Sequence, residues 1–69
     1  MTNDDIRVRI KHSDWNKTDT GWYRVSVITE EGDAFIYHKS IRKESSARRL
    51  RMRVGLKGSI NPTYWDKVN

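Results

Sequence analysis

From Trp22 to Thr29 the chain reads Trp-Tyr-Arg-Val-Ser-Val-Ile-Thr, and from Ala34 to His38 it reads Ala-Phe-Ile-Tyr-His. Glu30-Glu31-Gly32-Asp33 stands between them. β-Branched and aromatic residues suit a pleated, half-buried surface. Gly32 can take a positive φ without steric penalty, so the four-residue link reads as a tight reversal. An antiparallel hairpin of residues 22–29 with 34–38 follows, and the rest of a 69-residue chain has to be arranged around it. In the first strand Tyr23, Val25 and Val27 share one face, and Trp22, Arg24, Ser26 and Ile28 share the other. In the second strand the apolar residues are consecutive, so either Phe35 with Tyr37 or Ile36 faces the core.

Upstream, Ile6-Arg7-Val8-Arg9-Ile10-Lys11 alternates strictly between apolar and basic residues, as a half-buried strand does. His12 to Gly21 is polar and carries Asp14, Asn16, Asp19 and Gly21, which reads as a loop with Trp15 inside it. Downstream, Ala47, Leu50 and Val54 recur at helical spacing and define a narrow apolar stripe. Ser40 or Ser45 could cap the start of that helix, and Gly55 stands where a left-handed C-cap belongs. Lys57-Gly58-Ser59 breaks the pattern. Ile60-Asn61-Pro62-Thr63-Tyr64-Trp65 then reads as an aromatic tail, a turn plus a short extended piece docked on the core. Exposed edges at Ile6–Lys11 or Ala34–His38 could pair with another chain.

The length implies one small domain, residues 1–69. A chain of this size buries only about 60% of its unfolded surface. No cysteine is present to reinforce it. Three Trp, three Tyr and one Phe supply large apolar groups, which argues against full disorder. No apolar run approaches the roughly 18 residues of a membrane helix, and the polar start Met1-Thr2-Asn3-Asp4-Asp5 does not read as a signal peptide. The expectation is a soluble, cytoplasmic protein.

Charge is divided unevenly along the chain. Residues 1–33 hold five basic against seven acidic side chains, a net of −2. Residues 34–69 hold nine against two, a net of +7. Arg48-Arg49-Leu50-Arg51-Met52-Arg53 is the densest part, and Arg42, Lys43 and Lys57 flank it. On a helical wheel Arg48, Arg49 and Arg53 project away from the apolar stripe and Arg51 borders it. Glu44, four residues before Arg48, is the only nearby acid, whereas a solvated helix usually mixes signs to form i,i+4 pairs. Nucleic acid is the commonest anionic partner of such a surface, with DNA expected over RNA, and an acidic protein is the alternative.

A second surface comes from the strands. With Ile6, Val8, Ile10, Tyr23, Val25 and Val27 inward, the outer face carries Arg7, Arg9, Lys11, Trp22, Arg24 and Ser26. Cations there can neutralise phosphates and an aromatic can stack on a base, although the same pattern also describes an ordinary solvated sheet face. A helix packed behind the sheet turns its exposed side away from that face, so the two surfaces compete, and the helix has the denser charge. Trp15, in a polar loop, and Trp65 are the residues for a possible protein contact, with Tyr64 and Trp65 more in keeping with a core.

Chemistry beyond binding has little support. His12 near Asp14, and His38 on a strand, allow a His–Asp pair to be imagined, but a general base also needs a positioned partner and a pocket. Two histidines without cysteine or paired carboxylates do not suggest a metal site, no glycine-rich phosphate loop is present, and no cofactor is expected.

The order strand, strand, strand, helix resembles the small three-stranded DNA-binding domains found at integrase N-termini and in a class of plant transcription factors. The resemblance implies a sheet laid in a groove with Arg7, Arg9, Trp22, Arg24 and His38 facing it. Small RNase toxins of the double-stranded-RNA-binding type are also short and basic, but the glycine-serine-histidine signature of that class is absent. The expected fold is α+β, a three-stranded antiparallel sheet with one helix packed on it and an aromatic C-terminal segment. The expected function is non-enzymatic nucleic-acid binding. The rival is a small accessory protein, an inhibitor or adaptor of the kind phages encode, bound to a protein through the basic helix or exposed tryptophans.

Overall fold

The computed structural model describes residues 5–68. The fold is α+β with antiparallel sheets and one helix, in the order β1 (Ile6–Arg7), β2 (Ile10–Lys17), β3 (Tyr23–Thr29), β4 (Ala34–Tyr37), α1 (Glu44–Lys57), β5 (Ser59–Ile60) and β6 (Trp65–Lys67). Two sheets replace the single three-stranded sheet expected: a four-stranded sheet in the order β2-β3-β4-β6, and a two-stranded β1-β5 pair.

The hairpin β3–β4 forms as its residues dictate. Val27 pairs with Phe35 and Ser26 with Ile36. Gly32 takes φ 93°, and the Thr29 and Asp33 backbones meet across the reversal, with the Thr29 N–H donating to the Asp33 carbonyl at 2.8 Å. The buried Thr29 hydroxyl is not orphaned, because the Asp33 N–H donates to it at 3.1 Å. Val25, Val27, Thr29 and Phe35 are buried on one face and Ile36 lies on the other, which decides the facing of the second strand.

The alternating segment at residues 6–11 is not one strand. Ile6 and Arg7 pair with Ile60 and Ser59, and the Val8 N–H donates to the Gly58 carbonyl at 2.9 Å. The chain then joins β3 from Ile10 onward, with a register shift between Ile10 and His12. Lys11 is the extra residue, and a bulge of this kind lets Ile10 face the core while His12 faces away. The polar stretch expected as a loop is therefore mostly strand, through Lys17. It carries few apolar residues because it is a sheet edge. The large apolar group on its core-facing side is Trp15, whose ring packs 5.8 Å from that of Tyr23.

Helix α1 packs across β2 and β3. Ala47 and Val54 are buried and Leu50 is half-buried, the stripe read from the sequence. The ends differ from expectation. Lys43 is the N-cap and makes no side-chain cap bond, so neither Ser40 nor Ser45 caps the helix. Gly55 lies inside the helix, and Gly58 is the left-handed C-cap, with φ 64° and its N–H donating to the Val54 carbonyl at 3.0 Å. A Cβ on Gly58 would sit 3.3 Å from the Val8 carbonyl oxygen. The position therefore needs glycine for its backbone angle and for the close approach.

After β5, a turn at Asn61–Tyr64 reverses the chain. The Thr63 N–H donates to Asn61 Oδ1 at 2.8 Å and the Tyr64 N–H to the Asn61 carbonyl at 2.9 Å. The turn delivers Trp65 to the core, where it is 6% exposed and meets Tyr37 edge-on at 5.0 Å between ring centroids. The extended piece continues as β6, which pairs with β4. β4 is thus paired on both sides, and the open edges of the larger sheet belong to β2 and β6.

Candidate nucleic-acid interface

Of the arginines expected to meet phosphates, Arg48, Arg49, Arg51 and Arg53 lie on α1, whereas Arg42 lies in the link before it, over the Trp22 ring. Arg48, Arg49, Arg51 and Arg53 are exposed, and among the described residues none of them lies in an ion pair. Glu44 does not reach Arg48, so the one acid on the helix leaves the charge uncompensated. Lys57, in the last turn, is engaged: its Nζ stands 3.7 Å from Asp5 Oδ2. Lys43 is exposed at the helix start. Met52 and Leu56 lie one helical turn apart among these cations, 61% and 85% exposed. A shallow groove beside them is rimmed by Arg49, Arg53 and Lys57.

The sheet residues divide differently from the expectation. Arg7 belongs to the β1-β5 pair and Arg9 to the link before β2, so neither shares a sheet face with Arg24. Lys11 is taken up by the register shift. Of the expected cationic and aromatic row, Trp22 and Arg24 remain on the helix-free face, where Arg24 lies opposite Asn16 of β2. The groove-facing row implied by the three-stranded resemblance is therefore broken at Arg7 and Arg9. Trp15 is half-buried against the core and Trp65 is buried, so neither offers an exposed anchor.

On that helix-free face the strands part. β3 and β4 pair only as far as Ser26 and Ile36. Beyond that point β4 follows β6, through Tyr37 opposite Trp65 and the His38 N–H donating to the Tyr64 carbonyl at 2.9 Å. β3 is met instead by the link to α1, the Tyr23 N–H donating to the Ile41 carbonyl at 2.8 Å. Ile41 is buried and plugs the core side of the gap. The other side stays open as a cleft of about 690 Å³, lined among others by Trp22, Arg24, Ile36, His38, Lys39 and Asp66.

Aromatic rings hold cations at the rim of this cleft. Arg42 Cζ lies 4.8 Å from the Trp22 ring centroid, and Lys39 Nζ lies 4.7 Å from that of Tyr64. His38 Nδ1 stands 3.7 Å from Asp66 Oδ1. Among the described residues no ion pair engages Arg24, Lys39 or Arg42. Sequence reading singled out Trp22, Arg24 and Arg42 but had no means to bring Lys39 and Asp66 beside them, since the separation of β3 from β4 depends on residues far along the chain. Of the histidine–carboxylate pairs among the described residues, His38 with Asp66 is the one the fold brings close. His12 and Asp14 follow the sheet, and the Asp14 carboxylate accepts the Trp15 N–H at 2.8 Å.

Among the described residues no three His, Cys, Asp or Glu side chains gather as metal ligands, and no helix is long and apolar enough to cross a membrane. No family model, curated protein or solved structure matches this chain.

Proposed function

We propose that this chain is a non-enzymatic nucleic-acid-binding protein that engages a phosphate backbone through the exposed side of α1. The observation that carries the reading is the set of four exposed helical arginines with no ion-pair partner among the described residues. Unpaired guanidinium groups on one rigid element can replace the counterions of a polyanion, and the released counterions drive binding. Duplex DNA is favoured over duplex RNA on shape. Helix α1 has 14 residues. That makes a rod roughly 21 Å long. The DNA major groove, about 12 Å wide, admits a helix. The A-form major groove of RNA is too narrow to be read.

The test is a titration with labelled double-stranded DNA, single-stranded DNA and duplex RNA at two salt concentrations. Duplex binding that weakens with salt and is lost on replacing Arg48, Arg49 and Arg53 together by Ala supports the reading. No binding to any of the three at low salt sinks it.

One observation favours a second reading, in which the helix docks on an acidic protein. Phosphates give no reason for the exposure of Met52 and Leu56 side by side. An acidic partner presenting an apolar side chain would cover both while pairing with Arg49 and Arg53. Such an interface would be weakened by Leu56→Ser, a change that leaves phosphate contacts intact.

A further inference from the structure

We infer that the cleft between β3 and β4 on the helix-free face of the sheet is a binding site for an unpaired nucleotide, with the base against Trp22 and the phosphate held by Arg24 and Lys39. The inference takes its ligand class from the nucleic-acid reading, but it concerns the opposite side of the sheet from α1 and a different form of nucleic acid.

The space is of the size of a small-ligand site. The hollow measures about 690 Å³. Small-ligand sites run from roughly 300 Å³ to about 1000 Å³. One or two nucleotides fit such a space. The lining matches the two halves of a nucleotide. Trp22 is half-buried and lines the cleft, with the Arg42 guanidinium 4.8 Å from its ring centroid. Ile36 supplies an apolar floor between the strands. Arg24 and Lys39 both line the opening with no carboxylate partner among the described residues, and the Lys39 ammonium rests over the Tyr64 ring just outside that lining. The acid in the lining, Asp66, faces His38 at 3.7 Å. The balance of charge therefore suits an anion.

The geometry is also built before any ligand arrives. The Tyr23–Ile41 bridge keeps β4 from closing on β3, and the β4–β6 pairing holds His38 and Asp66 on the far bank. A cleft fixed by backbone pairing loses little conformational freedom on binding. Base–aromatic stacking tolerates any base, because every base has a π-face. The site should therefore prefer single strands without preferring a sequence.

The experiment is an NMR titration of the isotope-labelled full chain with a thymidine hexanucleotide, an abasic hexanucleotide of the same length, and a short DNA duplex. Saturable shifts at the Trp22 indole N–H, Arg24, Ile36 and His38 with the thymidine strand are expected. Arg24→Glu, Lys39→Glu and Trp22→Leu should each weaken that binding about tenfold. The two charge reversals are at exposed positions, so they keep the test sound if Trp22→Leu fails to fold. In the Arg48/Arg49/Arg53→Ala variant the thymidine strand should still shift the Trp22 indole N–H, Arg24, Ile36 and His38. Shifts confined to α1, no loss in the charge reversals, or equal binding of the abasic strand would each overturn the inference. Duplex binding on α1 with a silent cleft would overturn the cleft alone. Cleft binding with a silent helix would overturn the helix reading alone.

Discussion

The Arg42 guanidinium lies over the Trp22 ring, 4.8 Å from its centroid, and ties the link before α1 to the start of β3. A cation–π contact at a partly exposed site contributes about 0.5–1 kcal/mol. Arg42→Ala is expected to lower stability by that amount in chemical denaturation and to move the Trp22 indole N–H resonance more than those of Trp15 or Trp65. An unchanged Trp22 resonance would show that the pair does not persist in solution.

Two glycines of the helix and its cap should respond in opposite directions. Gly58→Ala forces a side chain into left-handed backbone and against the Val8 carbonyl. The left-handed conformation alone costs a residue with a Cβ about 1–2 kcal/mol. Gly55→Ala places a methyl group in open space within a helix. Alanine is favoured over glycine there by roughly 0.5–1 kcal/mol. Thermal unfolding of the two variants checks both signs, and a stabilised Gly58→Ala would contradict the C-cap assignment.

Trp65 should behave as a structural residue. Removing a buried tryptophan side chain costs about 3–5 kcal/mol, a large share of what a chain this small can hold. Trp65→Ala is expected to lose dispersed NMR resonances and the cooperative melt. A folded variant that has merely lost a partner would place Trp65 at an interface instead.

Replacing Arg48, Arg49 and Arg53 by Ala should leave the melting temperature nearly unchanged, because the three side chains are exposed and lack ion-pair partners among the described residues. The dependence of log K on log salt for duplex DNA should flatten by about one for each arginine that meets a phosphate. A parallel salt dependence with reduced affinity would mean that these arginines act through folding or through another group.

The parts of this fold that sequence reading captures are those governed by local rules. The β3–β4 hairpin is visible because its residues are β-branched and aromatic and Gly32 marks the reversal. The buried stripe of α1 is visible because Ala47, Leu50 and Val54 keep helical spacing. β2 is hidden for two physical reasons. An edge strand needs little apolar surface, and the register shift at Lys11 breaks the alternation that would reveal it, since one extra residue flips every later side chain to the other face. The helix end is misplaced because Gly55 and Gly58 are close in sequence and only backbone conformation tells them apart. For the interface, the arginines are plain from composition, but Arg7 and Arg9 are separated from Arg24 by the β1–β5 pairing. The cleft is invisible in the sequence, since it arises where β4 leaves β3 for β6.

The seam between β1 and β5 also bears on how the chain is made. Ile6 sits opposite Ile60, so β1 leaves the ribosome well before its partner, which is synthesised after the helix. The β2–β3–β4 meander needs only neighbouring segments. Ile60, fully buried, can take its place only once residues beyond α1 have emerged. Bringing such distant segments together carries a loop-closure penalty that slows folding. Until Ile60 is in place, the contact of α1 with β2 and β3 lacks the β1–β5 pair that fastens the first strand to the chain beyond the helix.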